Sequence, residues 1–355
     1  AGSTMKRNTD LRFELPANRA APDAGVLALL QGRVQTPLER VPDQDTLAHW
    51  QREAAEGSPN AQFELAKLLT SGNPVSADNR AAVKWLKKAA EKEHAQSQHL
   101  LGVLIARAQG VRADPAKAAE LFRAAAIMGN ADAQYDLGRA LNWGFGCAEN
   151  PKEAQTWWRL AGAQGHVAAQ YEVGVAYAHG RGCETSLTQA ASWLRKAALS
   201  HHPQAAYELA QLYLRPDNPS ASNADAFRWM GESARAGFVD AQYALALFYW
   251  AGRAVKRDVR QARDWASRAA ARGSVPALLL LSRLCEESQT PDATGAYAFV
   301  LRALEAAEEP KVREEAQLRE RELAVKLSES TVRAAHMLCQ DCPETAALIE
   351  ALCRR

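Results

Sequence analysis

A period of 36 residues runs through this chain without an insertion. Gln62, Gln98, Gln134, Gln170, Ala206 and Gln242 stand 36 apart. So do Ala82, Ala118, Ala154, Ala190, Ala226 and Ala262. A third ladder is Trp85, Leu121, Trp157, Trp193, Trp229 and Trp265. Spacing this regular restricts the fold to a stack of one supersecondary unit, because each unit leaves an apolar face that only its neighbour can cover.

The stretch Ala131 to His166 shows what the unit is. It begins as an Ala-rich amphipathic helix, breaks at Gly144, Phe145 and Gly146, restarts after Asn150-Pro151 and stops at Gly165. The second helix of each unit follows Asp78, Asp114, Asn150, Ser186, Ser222 or Asp258. Each of these has a short side-chain oxygen able to accept an orphan backbone N–H. Pro115 and Pro151 occupy the first helical position, where a missing donor is harmless. Glu153, Gln189 and Gln261 stand where a capping box places its acid or amide. Gly57, Gly129, Gly165, Gly237 and Gly273 end the units as left-handed C-caps, with Glu93 and His201 as exceptions. The small Ala ladder lets two helices approach closely. The Trp ladder is expected to fill the space between successive pairs, each ring contributing on the order of 2–3 kcal/mol.

Composition agrees with helices: the chain is 47% hydrophobic with Ala dominating that set. Its net charge of +2 gives no sign of a nucleic-acid or anionic-membrane partner. No run of about 18 apolar residues is present, so no spanning helix is expected. Ala1 to Thr4 ahead of Met5 read as a cloning remnant. A native start at Met5 implies a cytoplasmic protein, and a removed leader implies a periplasmic one. Four segments are expected: 1–42, an irregular lead-in with a short helix at Ala24 to Leu30; 43–59, a half-repeat cap; 60–274, six repeats; and 275–355, a degenerate repeat with a helical cap. In that last segment Lys311 to Leu327 reads as a long charged helix and Ser328 caps the next. Repeat five lacks paired glycines across Arg215 to Ser220, so its turn should differ.

These features resemble a known family. Gln134-Tyr135-x-Leu137-Gly138, Gly144-x-Gly146 and Trp193-x-x-Lys196-Ala197-Ala198 are similar to Sel-one-like repeats of the tetratricopeptide-like superfamily. The resemblance covers about Asp43 to Ser274, with a degenerate seventh unit from Val275. It implies an all-α right-handed superhelical solenoid of about seven helix pairs plus caps, with first helices lining a concave surface. It implies a bacterial, non-enzymatic protein-binding scaffold, in its sharpest form an immunity protein that neutralises an antibacterial phospholipase effector of a type VI secretion system. The alternatives are an adaptor for envelope or signalling complexes and a hydrolase or enzyme activator. No cofactor is expected, and no phosphate loop, nucleophile elbow, zinc-protease helix or dinucleotide fingerprint is present to support an enzyme.

The candidate partner-binding residues lie on the first helices. One row is Phe63, His99, Tyr135, Tyr171, Tyr207, Tyr243, and the adjacent row is Glu64, Leu100, Asp136, Glu172, Glu208, Ala244. Aromatic and acidic rows suit an extended basic or mixed peptide, or a partner's helix or loop. The competing reading is packing for the aromatics and a solvated face for the acids. Arg139, Asn142, Trp143, His179, Arg215 and Trp250 do not repeat as a set, and Trp and Arg are common interface anchors. Trp143 is the residue most expected to touch a partner.

The six cysteines are too sparse for a disulfide scaffold. Cys147 and Cys183 sit one period apart, about 10 Å by helix-packing distance. A disulfide needs Cα atoms within about 7 Å, so the two read as small buried loop residues. His336, Cys339, Cys342 and Cys353 are zinc-type ligands. A helix from Pro343 would set Cys353 about 16 Å from Cys342, too far for one site, so no metal is expected. A local Cys339–Cys342 bond stays open beside free thiols. His201-His202 at a repeat junction reads as a satisfied turn.

Overall fold

The computed structural model describes residues 42–71, 77–288 and 290–353. The expected helix at Ala24 to Leu30 lies outside the described residues, as does nearly all of the 1–42 lead-in. Eighteen helices and no strand occur among the described residues, and consecutive helices pack as antiparallel pairs into an all-α solenoid.

Two compact units divide the chain between Ser200 and His201. The first holds α1 (Gln44–Glu56), α2 (Pro59–Ser71), α3 (Asn79–Ala90), α4 (Ala95–Ala106), α5 (Pro115–Ile127), α6 (Ala131–Trp143), α7 (Pro151–Ala163), α8 (Val167–His179) and α9 (Leu187–Leu199). The second holds α10 (Pro203–Leu214), α11 (Asn223–Arg235), α12 (Val239–Ala251), α13 (Val259–Ala271), α14 (Val275–Glu286), α15 (Ala293–Ala306), α16 (Pro310–Ala324), α17 (Glu329–Asp341) and α18 (Thr345–Cys353).

All six expected second-helix caps form, each side-chain oxygen accepting from a backbone N–H two or three residues on. The capping box does not. Glu153 accepts from Arg123, Trp157 and the Asn150 side chain instead. The Asn150 backbone N–H goes to Leu141 O at 2.7 Å, back across the loop. Asp78, Ser186, Ser222 and Asp258 tie to Leu69, Tyr177, Tyr213 and Tyr249 in the same way. The amide that a capping box would use is committed to holding the hairpin closed. Glu93 and His201 take the left-handed stop at φ 57° and 60°, where the other repeats use glycine.

The Gln ladder is a set of buried ties. The Gln62, Gln98, Gln134, Gln170 and Gln242 amides donate to the carbonyls of Ala54, Ala90, Ala126, Gly162 and Ala234. Each bond joins a first helix to the last turn of the helix before it.

The Trp ladder is not the core ladder. Leu86, Phe122, Trp158, Leu194, Met230 and Ala266, one residue further on, are at most 2% exposed. Trp85, Leu121, Trp157, Trp193 and Trp265 are half-buried, and Trp229 alone is enclosed. On the helical wheel both positions straddle Ala154 and Ala161 symmetrically, so spacing could not choose between them. The gap left by Gly138 does: a Cβ there would come within 2.5 Å of Trp158 Cδ1. The outer rings carry cations one turn on, with Lys88 over Trp85 at 4.7 Å, Lys196 over Trp193 at 4.3 Å and Arg268 over Trp265 at 4.5 Å.

The seventh unit is more regular than its sequence suggested. Ala296, Phe299, Val300 and Ala303 fall 34 residues after Ala262, Trp265, Ala266 and Ala269, and all four are buried. The loop tie is kept, Asp292 N–H to Cys285 O, but spans two residues fewer. α17 and α16 then cover α15, burying Leu338, Ala335 and Leu323.

Candidate functional site

The first-helix rows are built by neighbouring repeats. The aromatic row packs on the last residue of its own repeat, which also caps the next first helix. Phe63 meets His94 at 5.4 Å, Tyr135 stacks on His166 at 4.6 Å, and Tyr207 meets Phe238 at 5.1 Å. Of these capping residues, His94 and His166 use Nδ1 to accept from the N–H of Ser97 and Ala169, and His202 does the same for Ala205. Asn130 and Ser274 occupy the same register with the usual side-chain oxygen. Sequence reasoning read His202, with His201, as a satisfied turn and gave His94 and His166 no role. The signal was a cap-forming residue recurring at the last position of the period. Burial lowers the pKa of His94 and of His202, so both are neutral acceptors near neutral pH.

In the 42–200 unit the polar centre is Asp136. It accepts from His99 Nε2 at 2.9 Å and lies 3.5 Å from Arg139 Nη1. Arg139 in turn sits over the Tyr135 ring at 5.5 Å. Burial raises the Glu172 pKa, and the charges of Arg181 and Arg139 oppose that. Tyr135 is pushed well above the usual phenol range by burial. Glu64 pairs with Lys67 at 3.1 Å. The acidic row is therefore largely answered inside the chain rather than held open for a basic peptide. Tyr171 is half-buried; Trp143, half-buried, and His179, exposed, are the last residues of their helices.

Two expected contact residues are corrected. Tyr207 is 0% exposed, enclosed against Phe238. Asn142 is 6% exposed, because it lies one turn beyond Gly138 on the stripe that also buries Gln134. Neither side chain can meet a partner without unpacking.

In the 201–355 unit the remaining candidates are half-exposed. Arg215 forms a two-point pair with Asp217 at 3.0 and 2.7 Å. Its loop has no left-handed glycine cap. Instead buried Asn218 donates to Leu212 O at 2.8 Å and accepts from Ser220 N at 2.9 Å, so one amide replaces the glycine turn. Trp250 Nε1 donates to Glu287 at 2.9 Å, and Arg257 reaches the same carboxylate oxygen at 2.5 Å. Burial pushes the Tyr243 phenol up to about 12. Glu208 is half-buried.

Among the described residues no group of three or more His, Cys, Asp or Glu is placed to hold a metal ion. Cys147, Cys183, Cys339 and Cys342 are free thiols, and Cys147 and Cys183 are half-buried rather than buried. The Cys339 thiol points at Ala298 O at 3.5 Å, and His336 meets Tyr297 edge-on. Among the described residues no helix is long and apolar enough to cross a membrane.

Paired helices with side-chain-lined rows define an α-solenoid scaffold suited to protein binding. The Sel1 repeat model matches 59–94, 95–130, 131–166, 167–202, 203–238 and 239–274. The chain belongs to the Sel1 repeat family, whose members mediate protein–protein interaction. No curated protein matches it. Among solved structures it is similar to a Sel1 repeat protein from Oxalobacter formigenes, with 26% identity over 63% of this chain and 90% of that one and a TM-score of 0.57. It is also similar to c5321, a protective antigen of uropathogenic Escherichia coli, at 21% identity over 93% and 87% with a TM-score of 0.41. A further similar chain is the immunity protein Pa5087 from Pseudomonas aeruginosa, at 20% identity over 64% and 83% with a TM-score of 0.35.

Proposed function

We propose that this chain is a non-enzymatic scaffold that grips a protein partner through the first-helix surface of the 42–200 unit. The observation that carries this reading is the non-repeating set Trp143, Arg139 and His179. Trp143 and His179 reach the surface among rows otherwise committed to packing, and Arg139 lies mostly enclosed. Arg139 is held by Asp136 and Tyr135, so it is presented at little further entropic cost.

In its sharper form the chain is an immunity protein that occludes the catalytic cleft of a secreted antibacterial phospholipase effector. That form rests on the family. The fold supports it by offering a rigid surface with idiosyncratic anchors. Copurification from the native cell tests the scaffold reading, and a neighbouring gene for a lipase effector tests the immunity reading. Replacing Trp143 and His179 by alanine should weaken partner binding at least tenfold while helicity and Tm hold. Unchanged affinity would move the site elsewhere, and substrate turnover by the isolated chain would overturn the non-enzymatic reading.

A further inference from the structure

The second helices of the 42–200 unit carry a charge pattern that the whole-chain balance conceals. On α3, α5, α7 and α9 ten Lys and Arg face two Glu. The paired first helices α2, α4, α6 and α8 have two cations and four carboxylates. Both Glu of the outer helices are already bonded, Glu120 to Lys117 and Glu153 to Arg123. Most of the cationic excess is in open solvent: Lys84, Lys87, Arg159, Arg195 and Lys196 are all exposed. In the 201–355 unit the corresponding helices α11, α13 and α15 hold six cations against four acids, so this is a local feature and not a property of the repeat.

The same face exposes aliphatic side chains at the ends of its helices. Ile127 is 70% exposed, Leu199 65%, Met128 49% and Leu160 46%. The half-buried Trp85, Trp157 and Trp193 lie further back on these helices. Successive outer helices touch from α5 to α9, through the Arg123–Glu153 pair and through Trp193 beside Gly162, so the face is continuous over these three.

We propose that the outer-helix face of the 42–200 unit docks on an anionic phospholipid bilayer. Cations on long flexible stems, Trp at intermediate depth and aliphatic tips are the composition that surface-lying amphipathic helices use. Nucleic acid would answer the cations but has no use for Ile127, Leu160 and Leu199. A specific acidic protein calls for charges fixed in matched geometry. Here they are spread over four helices spaced about 10 Å apart, which suits a fluid charged surface.

The test is cosedimentation of the full chain with vesicles of phosphatidylglycerol in phosphatidylcholine, against phosphatidylcholine alone. Binding should favour the anionic vesicles by at least about tenfold and weaken as salt shortens the screening length. Lys84→Gln, Lys87→Gln and Arg159→Gln together should cost about 100-fold, and the charge-keeping set Lys84→Arg, Lys87→Arg and Arg159→Lys should bind as the parent does. All three positions are exposed, and an unchanged Tm certifies the fold. Ile127→Ser with Leu199→Ser should weaken binding while leaving its salt dependence in place. Equal binding to both vesicle types, or an unaffected neutralised variant, overturns the proposal. So does retention on polyglutamate or duplex DNA without retention on vesicles, since the face would then serve an acidic protein or a nucleic acid.

Discussion

At the scale of the residue, Gly138 and Trp158 are one decision made twice. Trp158 is buried and donates its indole N–H to Tyr135 O at 3.2 Å, and it occupies the space a side chain at 138 would need. Gly138→Ala should therefore destabilise by about 1–3 kcal/mol, read as a lower denaturant midpoint at constant m-value. Adding Trp158→Leu should restore much of the loss, because Ala66 with Leu86 is the pair that repeat one already uses. The histidine caps set a pH dependence with a definite sign. His94 and His202 titrate below the usual 6.5 when folded, so in that window the unfolded chain binds more protons. Their contribution is complete above about 6.5 and is lost as pH falls toward the lowered folded values, since a protonated imidazole cannot accept the helix N–H. His94→Asn with His202→Asn should flatten the fall in Tm between neutral and mildly acidic buffer, as Asn130 caps the same register without titrating.

At the scale of the element, loop five shows how a repeat can dispense with its glycines. Asn218→Ala removes both bonds that shape the turn and should cost about 1–3 kcal/mol. A loss in Tm without a change in the 36-residue pairing of the other helices would check it. What was legible in the sequence follows from the same logic. Caps, stops and the Ala ladder depend on local chemistry, and they can be read from Asp114-Pro115 or Gly165 alone. Trp157 against Trp158 could not be read, because the two are equivalent on the wheel and only Gly138 on another helix separates them. Tyr207 was placed on the surface by its row, yet it is enclosed against Phe238, which is a histidine in three sister repeats. The seventh unit was read as degenerate because a two-residue shortening of its loop shifts its ladders out of register. A search at a fixed period loses Ala296 and Val300, although both continue the ladders.

At the scale of the whole molecule, the 201–355 unit ends in a cover rather than a repeat. α16 and α17 close over α15 while leaving Leu318, Val325 and Met337 largely exposed on their far side. Removing 310–355 should expose Val300 and Ala303 and raise dye binding to apolar surface, with aggregation at concentrations where the parent stays monodisperse. The loop tie has the widest consequence. In five of the six repeats a backbone bond from the second-helix cap to the first helix spans nine residues, from Leu69 to Asp78 through Tyr249 to Asp258. A length clamp of this kind penalises small insertions and tolerates gain or loss of a complete unit. Such a lineage diversifies by duplicating modules and then editing the side chains that no ladder uses. Specificity can then be transplanted between members by exchanging a whole 36-residue block, with the clamps at both ends preserving register.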